Sequence, residues 1–277
     1  MKQRPLKGTM FRNKHIIITG GSSGLGLELA AMLAAEGARI ALIARDSTKL
    51  AEVAGELRRQ YPAAQIDVVS VDVRDEAAIS ETMRTLATKN DGIDMLINSA
   101  GILREGYFER LPMQDFRDVM EINYFGLLHA TRAALPYLKK SSGRLINIAS
   151  MAGLTGAFGY TPYCAAKHAL VGLSESLRYE LRPMGVAVHL VCPAEFDSPM
   201  VDELDRNRTP ENRAHTLTIP KATVEQIAAG TLSGIRANRF LIVPGGLTRA
   251  AAYNICHFPG VSRMLGDRVV AKAYRGP

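Results

Sequence analysis

Tryptophan is absent from this 277-residue chain, cysteine occurs three times, and aromatic residues make up only 6%. Three cysteines (Cys164, Cys192, Cys256), an odd number with no Cys-x-x-Cys pair, argue against a disulfide framework or a zinc cage, so no metal site is expected. Long apolar runs are missing as well. No run of about 18 apolar residues occurs without charge or proline, which argues against a spanning helix. The run Ile16-Ile17-Ile18 after the basic N-terminus is far too short for the core of a signal peptide. A soluble, cytoplasmic protein is expected. The apolar fraction, 47%, excludes a disordered chain, and the length suits one large domain or two small ones with a sizeable core.

Acidic charge is also scarce, but only at the ends. The chain carries 34 Lys+Arg against 27 Asp+Glu, a net charge of +7. Residues 1–15 hold +5 and residues 236–277 hold +6, which leaves −4 for residues 16–235. A nucleic-acid reader needs a basic stripe on one folded face. Basic ends flanking a mildly acidic core do not supply it, so no nucleic-acid partner is expected and the ends read as solubilising.

What is present is an alternation. Short β-rich runs at His15–Thr19, Arg39–Ala44, Gln65–Val71, Met95–Asn98, Arg144–Ala149, Val186–Cys192 and Arg239–Val243 are separated by longer amphipathic stretches. Helices are expected at Leu25–Glu36, Lys49–Arg59, Glu76–Thr88, Met113–Leu138, Tyr163–Arg182 and Val224–Ile235. Several β runs are apolar at nearly every position, the mark of parallel strands covered on both faces. The spacing predicts an α/β fold: a single Rossmann-type, doubly wound, seven-stranded parallel sheet with helices on both faces. Three segments follow: a basic lead (1–13), a catalytic domain (14–246) containing a long polar loop read as a substrate lid (194–221), and a basic tail (247–277).

The first strand runs into Thr19-Gly-Gly-Ser-Ser-Gly-Leu-Gly26, and then into a helix. Glycines let the backbone turn tightly beside a ligand, and a helix N-terminus offers unpaired N–H groups to an anion. Gly20, Ser22, Ser23, Gly24, Leu25 and Gly26 are therefore candidate phosphate-binding residues. The second strand ends Ile43-Ala44-Arg45, where an acid would bind a ribose 2′-hydroxyl and a guanidinium suits a 2′-phosphate. Arg45 thus favours NADP(H), its alternative being a solvated surface arginine. Asp72 is placed to accept from an adenine amino group, or to start a helix.

Ser150 follows the fifth strand, and Tyr163-Cys-Ala-Ala-Lys167 comes thirteen residues later. A spacing of four puts Tyr163 and Lys167 on one helix face. An ammonium beside a phenol favours its ionised form, which would make Tyr163 a usable general acid or base. Asn123 sits inside an apolar helical stretch, where it either serves the site or satisfies backbone at a kink.

These pieces, with Asn98-Ser-Ala-Gly101, Asp72-Val73 and Pro193, resemble the short-chain dehydrogenase/reductase family over the chain to Val243. The resemblance implies an NADP-dependent oxidoreductase with a tetrad of Asn123, Ser150, Tyr163 and Lys167. Ser150 would hold the substrate carbonyl, Tyr163 deliver the proton, Lys167 tune the phenol and bind ribose hydroxyls, and Asn123 hold a water. It also implies cofactor contacts from Val73, Asn98, Ala100, Gly101, Pro193 and Ser198, and a homo-oligomer formed through the helices at 113–138 and 163–182. The run Pro193-Ala-Glu195 departs from most of the family, which has glycine after that proline; the unusual carboxylate of Glu195 either faces substrate or lies in a solvent turn. The stretches Arg45-Asp-x-x-Lys-Leu50, Ile122–Gly126, Gly153–Tyr163 and Asp197–Glu211 resemble 3-ketodihydrosphingosine reductases. That branch implies reduction of a lipid-like ketone by NADPH, in sphingolipid metabolism. An acidic lid (Glu195, Asp197, Asp202, Glu203, Asp205) would suit a cationic amino ketone. A 3-oxoacyl thioester or a hydroxysteroid would share the tetrad, and a non-catalytic NADP-binding regulator would share the fold. The basic tail, with Phe258, Val261, Met264 and Leu265 among arginines, either rests peripherally on an anionic membrane or packs on the protein.

Overall fold

A computed structural model describes residues 9–275; Lys2, Arg4 and Lys7 of the basic lead lie outside the described residues. Alternation within the strands builds two cores from one sheet. On β1 (His15–Thr19), Ile16 and Ile18 face one side while Ile17 faces the other, and all three are fully buried. Such a strand is stable only if helices cover both faces, and they do. Helices α1 (Gly24–Ala35), α2 (Ser47–Gln60) and α9 (Val224–Arg236) bury Leu29, Leu33, Leu50, Leu57, Leu232 and Ile235 against the first face. Helices α3 (Glu76–Lys89), α5 (Gly126–Ser141) and α6 (Thr161–Leu181) bury Ile79, Met83, Leu86, Leu138 and Leu181 against the second. Each fully buried aliphatic side chain contributes about 1.5–3 kcal/mol of transfer free energy.

The remaining strands are β2 (Arg39–Ala44), β3 (Ile66–Ser70), β4 (Met95–Asn98), β5 (Arg144–Ile148), β6 (Ala187–Val191) and β7 (Leu241–Ile242). All pair in parallel, in the order β3-β2-β1-β4-β5-β6-β7. The order reverses direction between β1 and β4, so the loops after these two strands diverge to opposite faces and leave a crevice at the carboxyl edge. The expected seven-stranded, doubly wound parallel sheet is the observed one.

Three segments differ from the expectation. The helix over 113–138 is α4 (Met113–Met120), a π turn at Glu121–Phe125, and α5, with Asn123 inside the turn. The lid is not an irregular loop but two helices, α7 (Pro199–Asn207) and α8 (Pro210–Thr216). Its prolines start helices rather than interrupt them. Ser198 and Thr209 cap through their hydroxyls, and each following proline occupies the first turn, where its missing N–H costs nothing. The tail is likewise helical, as α10 (Gly246–His257) and α11 (Pro259–Tyr274). Among the described residues no helix is long and apolar enough to cross a membrane.

Candidate active site

A single cleft of about 1040 Å³ runs along the carboxyl edge of the sheet, and the loops after β1 to β6 all reach it. Its first end is built by the turn between β1 and α1. Gly20 has φ +68° and lies so near the Ala100 backbone that a Cβ would come within 2.7 Å. Gly24, at φ +51°, is different: a Cβ there would project into the cleft and meet nothing nearer than the Ser198 Cβ at 3.7 Å. The N-terminus of α1 therefore presents bare backbone to the cleft, and Ser22, Ser23 and Leu25 line it alongside. Ser23 occupies the N-cap without using its hydroxyl there, which leaves that donor for a ligand. This cradle fits a pyrophosphate.

Arg45 and Asp72 flank the same end from β2 and β3. The Arg45 side chain is exposed at the rim. Lys49, one turn into α2, adds a second cation that was overlooked as a binding residue although it stands four residues after Arg45. Asp46 between them is occupied as the N-cap of α2, accepting from the Lys49 N–H at 2.9 Å. Asp72 is also engaged: Arg74 binds its carboxylate at 2.7 Å and, with Arg45 nearby, holds it below the usual carboxylate range. Val73, Ala100 and Gly101 complete this wall.

The middle of the cleft collects Ser150, Tyr163, Lys167, Pro193 and Ser198. Ser150 leaves β5 in extended conformation, and its Oγ accepts from the Ala152 N–H at 3.1 Å, which fixes the hydroxyl. Tyr163 lies in the first turn of α6 and faces the same cleft as Ser150. The Lys167 ammonium stands 5.5 Å from the centre of the Tyr163 ring and donates to the Ile148 carbonyl at 2.9 Å. Burial decides the electrostatics. It lowers Lys167 to about 8 and pushes the Tyr163 phenol above its ordinary value, with Ser150 pulling the other way. Among the protein's own groups burial, not the Lys167 ammonium, sets the direction of the phenol. Cys192 beneath them is raised to about 12 by burial and stays a thiol.

Three expected site residues do not line the cleft. Gly26 is packed beneath it, where a Cβ would meet the Gly20 carbonyl oxygen at 2.4 Å. Asn123 turns its amide onto the chain after β4, accepting from the Ile102 N–H at 2.8 Å and donating to the Ile102 carbonyl at 2.9 Å. Its Oδ1 would lie 3.2 Å from a Cβ on Gly101, and Lys167 Nζ 3.9 Å, so it borders the site through that glycine. Asn98 is fully enclosed in the sheet. It donates to Asn147 Oδ1 and Thr131 Oγ1 at 3.0 Å each, and Asn147 donates to Ser174 at 3.0 Å. That is a buried polar network joining β4, β5, α5 and α6.

Glu195 lines the cleft but follows neither expected alternative. Its carboxylate is gripped by Arg208 through two hydrogen bonds of 2.9 and 2.6 Å, with Lys221 at 3.5 Å. The Arg208 side chain is fully buried and also binds Asp205 at 3.0 Å, Asn212 at 2.6 Å and Thr216. The pair fastens the lid to the strand that carries it. Together with Lys221, Arg208 engages Glu195 and Asp205, two of the five lid acids. On its other side α8 is tied down by Thr209 to Glu105 at 2.5 Å, Tyr107 to Glu211 at 3.0 Å, and Asn212 to the Phe158 carbonyl at 2.5 Å.

A glycine turn at the switch point of a doubly wound parallel sheet, with a tyrosine and a lysine one helical turn apart across the cleft, is the architecture of a nucleotide-dependent oxidoreductase. The family model described as short chain dehydrogenase matches residues 14–209. The chain belongs to the short-chain dehydrogenase/reductase family, and to its oxidoreductases. It is 34% identical over 230 residues to a zebrafish 3-dehydrosphinganine reductase, covering 81% of this chain and 68% of that one. It is 32% identical over 246 residues to a 3-ketodihydrosphingosine reductase of Dictyostelium discoideum, covering 83% and 74%. Among solved structures, a short-chain dehydrogenase/reductase of Burkholderia phymatum in complex with NAD aligns with a TM-score of 0.78 and 26% identity, covering 88% of this chain and 92% of that one. A nicotinamide cofactor fits both this likeness and the cradle.

The separation of Asn98 from the cleft has a measurable consequence. Asn98→Ala leaves Thr131 and Asn147 each short of a buried partner and is expected to cost about 1–3 kcal/mol in denaturant unfolding, with nucleotide affinity changed less than about three-fold. A loss of nucleotide affinity at unchanged stability would place Asn98 in the cofactor site instead.

Proposed function

We propose that the protein is an NADPH-dependent carbonyl reductase whose substrate is a lipid-like ketone of the 3-ketodihydrosphingosine type. The observation that carries this reading is the convergence of Ser150, Tyr163 and Lys167 in the middle of one continuous cleft. Gly20, Ser22, Ser23, Gly24 and Leu25 would hold the pyrophosphate, Arg45 and Lys49 a 2′-phosphate, and Lys167 the ribose hydroxyls. Val73, Ala100, Gly101, Pro193 and Ser198 would line the rest of the cofactor. The bound cofactor supplies a hydride to the carbonyl carbon.

The chain's own residues do the rest. Ser150, its Oγ fixed by the Ala152 N–H, donates to the substrate oxygen and orients it. Tyr163 carries its proton through the neutral range, because burial raises its pKa, and transfers it to that oxygen as negative charge develops. Lys167, still largely charged at neutral pH, stabilises the phenolate left behind. Asn123 holds the 101–102 segment that separates it from Lys167.

The relatives' names support the lipid substrate. So does the surface: six of the fourteen exposed large apolar side chains among the described residues lie on α10 and α11, and a seventh, Phe258, joins the two helices, among Arg249, Arg263, Arg268 and Lys272. This face suits peripheral contact with an anionic lipid surface. Exposed Met113, Phe125 and Tyr179 mark the helices through which a homo-oligomer would form.

The function is tested by NADPH oxidation with 3-ketodihydrosphingosine, a 3-oxoacyl thioester and a steroid ketone in parallel. The first should be reduced with the highest kcat/KM, and Tyr163→Phe should abolish turnover while leaving NADPH affinity within a few-fold. Retained activity in that variant would overturn the assignment. Ketone reduction should be level up to neutral pH and fall above about pH 8, as Lys167 loses the charge that stabilises the phenolate, before the raised phenol itself loses its proton. Arg45→Ala should weaken NADPH binding by about ten-fold or more and leave NADH nearly unchanged. Equal losses for both would mean that Arg45 does not read the 2′-phosphate.

A further inference from the structure

The cleft continues past the site just described, and its far end has a different chemistry. Every Lys, Arg, Asp and Glu that lines it lies at the nucleotide end (Arg45, Asp46, Lys49, Asp72) or in the middle (Lys167, Glu195). Beyond Glu195 the walls come from the end of α8, from α10 and from α11, and they carry no lysine, arginine or carboxylate. On α11 the lining residues are Ser262, Leu265, Gly266 and Val269, a spacing of three, four and seven that makes one helix face. On α10 they are Ala251, Asn254 and Ile255, again one face.

The two walls are not equivalent. Ala251, Ile255 and Ile219 back onto the core cluster beneath the site, with Leu190 and Cys192. Leu265 and Val269 belong to no packed apolar cluster among the described residues, and Leu265 is 53% exposed while facing the cleft. An apolar helix face turned toward a cavity, rather than toward a core, gains burial only from what enters the cavity.

The polar groups at this end are uncharged, and those of α8 and the turn after it are already engaged. Thr216 and Thr218 donate to the Asn212 and His215 carbonyls at 2.9 and 3.0 Å. His215 accepts the Phe158 N–H on Nδ1 at 3.1 Å, and burial keeps the ring neutral against the pull of Asp267. Neither an anion nor a cation finds a counter-charge here.

We propose that the chamber between α8, α10 and α11 is the subsite for the alkyl chain of the ketone substrate, with Leu265 and Val269 as its chain-length-determining wall. The occupant follows from continuity: a ketone whose oxygen is held by Ser150 and Tyr163 has the nucleotide on one side and only this charge-free space on the other. The inference rests on the carbonyl-reductase reading for its substrate, and the C-terminal helices, outside the family's matched segment of 14–209, supply the specificity.

The test uses the full chain with 2-alkanones of four, eight and twelve carbons and the matching 2-alkanols. With NADPH, kcat/KM of the wild type should rise by about two- to four-fold per added methylene until the chamber is filled. Val269→Trp, which fills it, should lower dodecan-2-one by ten-fold or more while changing butan-2-one by less than about two-fold. Binding of dodecan-2-ol and butan-2-ol to the NADP-loaded protein, measured by titration calorimetry, gives a readout independent of turnover and of how the variant folds. Dodecan-2-ol binding no more tightly than butan-2-ol would overturn the subsite. Tight, chain-dependent binding without turnover of any ketone would support the chamber and overturn the carbonyl-reductase reading instead.

Discussion

The constraint on which the molecule depends is that all seven strands point the same way. Parallel pairing forces every connection to cross over the sheet, covers both faces with helices and brings the loops that follow the strands to one edge. The reversal of order between β1 and β4 then opens that edge into a crevice. A glycine turn, a rim arginine, a fixed serine and a tyrosine–lysine pair, scattered over 150 residues of chain, meet there because their strands end together. Without the common direction none of them would be neighbours.

Within the crevice, burial and charge pull against each other. Lys167 is a cation held only by a backbone carbonyl, and it is pushed toward neutrality. Tyr163 is pushed toward keeping its proton. A donor that holds its proton until a neighbouring oxygen becomes basic is what carbonyl reduction needs. The lid follows another logic: Arg208 is enclosed, so its charge must be met within reach, and Glu195 and Asp205 meet it. The same bonds that satisfy the arginine fasten α7 and α8 over the site.

Much of this was legible in the sequence. β1, β2 and β4 have the boundaries that their apolar runs indicated, because polar residues at or just beyond the ends mark off each run of buried aliphatic side chains. The cradle and the Tyr163–Lys167 pair were legible from local spacing. What was not legible depended on contacts distant in sequence. The enclosure of Asn98 depends on its partner Asn147, forty-nine positions on, which strand register places beside it. Glu195 resembles a free carboxylate until Arg208 folds back over it. The lid prolines resembled breaks, yet Ser198-Pro199 and Thr209-Pro210 are helix starts that local rules could have found. The role of α11 as a cleft wall had no local signal, since its Leu265 and Val269 line a cavity rather than a core.

The central claim is that this crevice carries a hydride from NADPH to a ketone carbon while the proton comes from the protein side. It is tested most directly by reduction of 3-ketodihydrosphingosine with NADPH deuterated at the transferring position of nicotinamide C4. The account predicts one deuterium on the carbinol carbon of the product and none from solvent at that carbon. A product without the label, or NADPH left unoxidised beside the ketone, would contradict it.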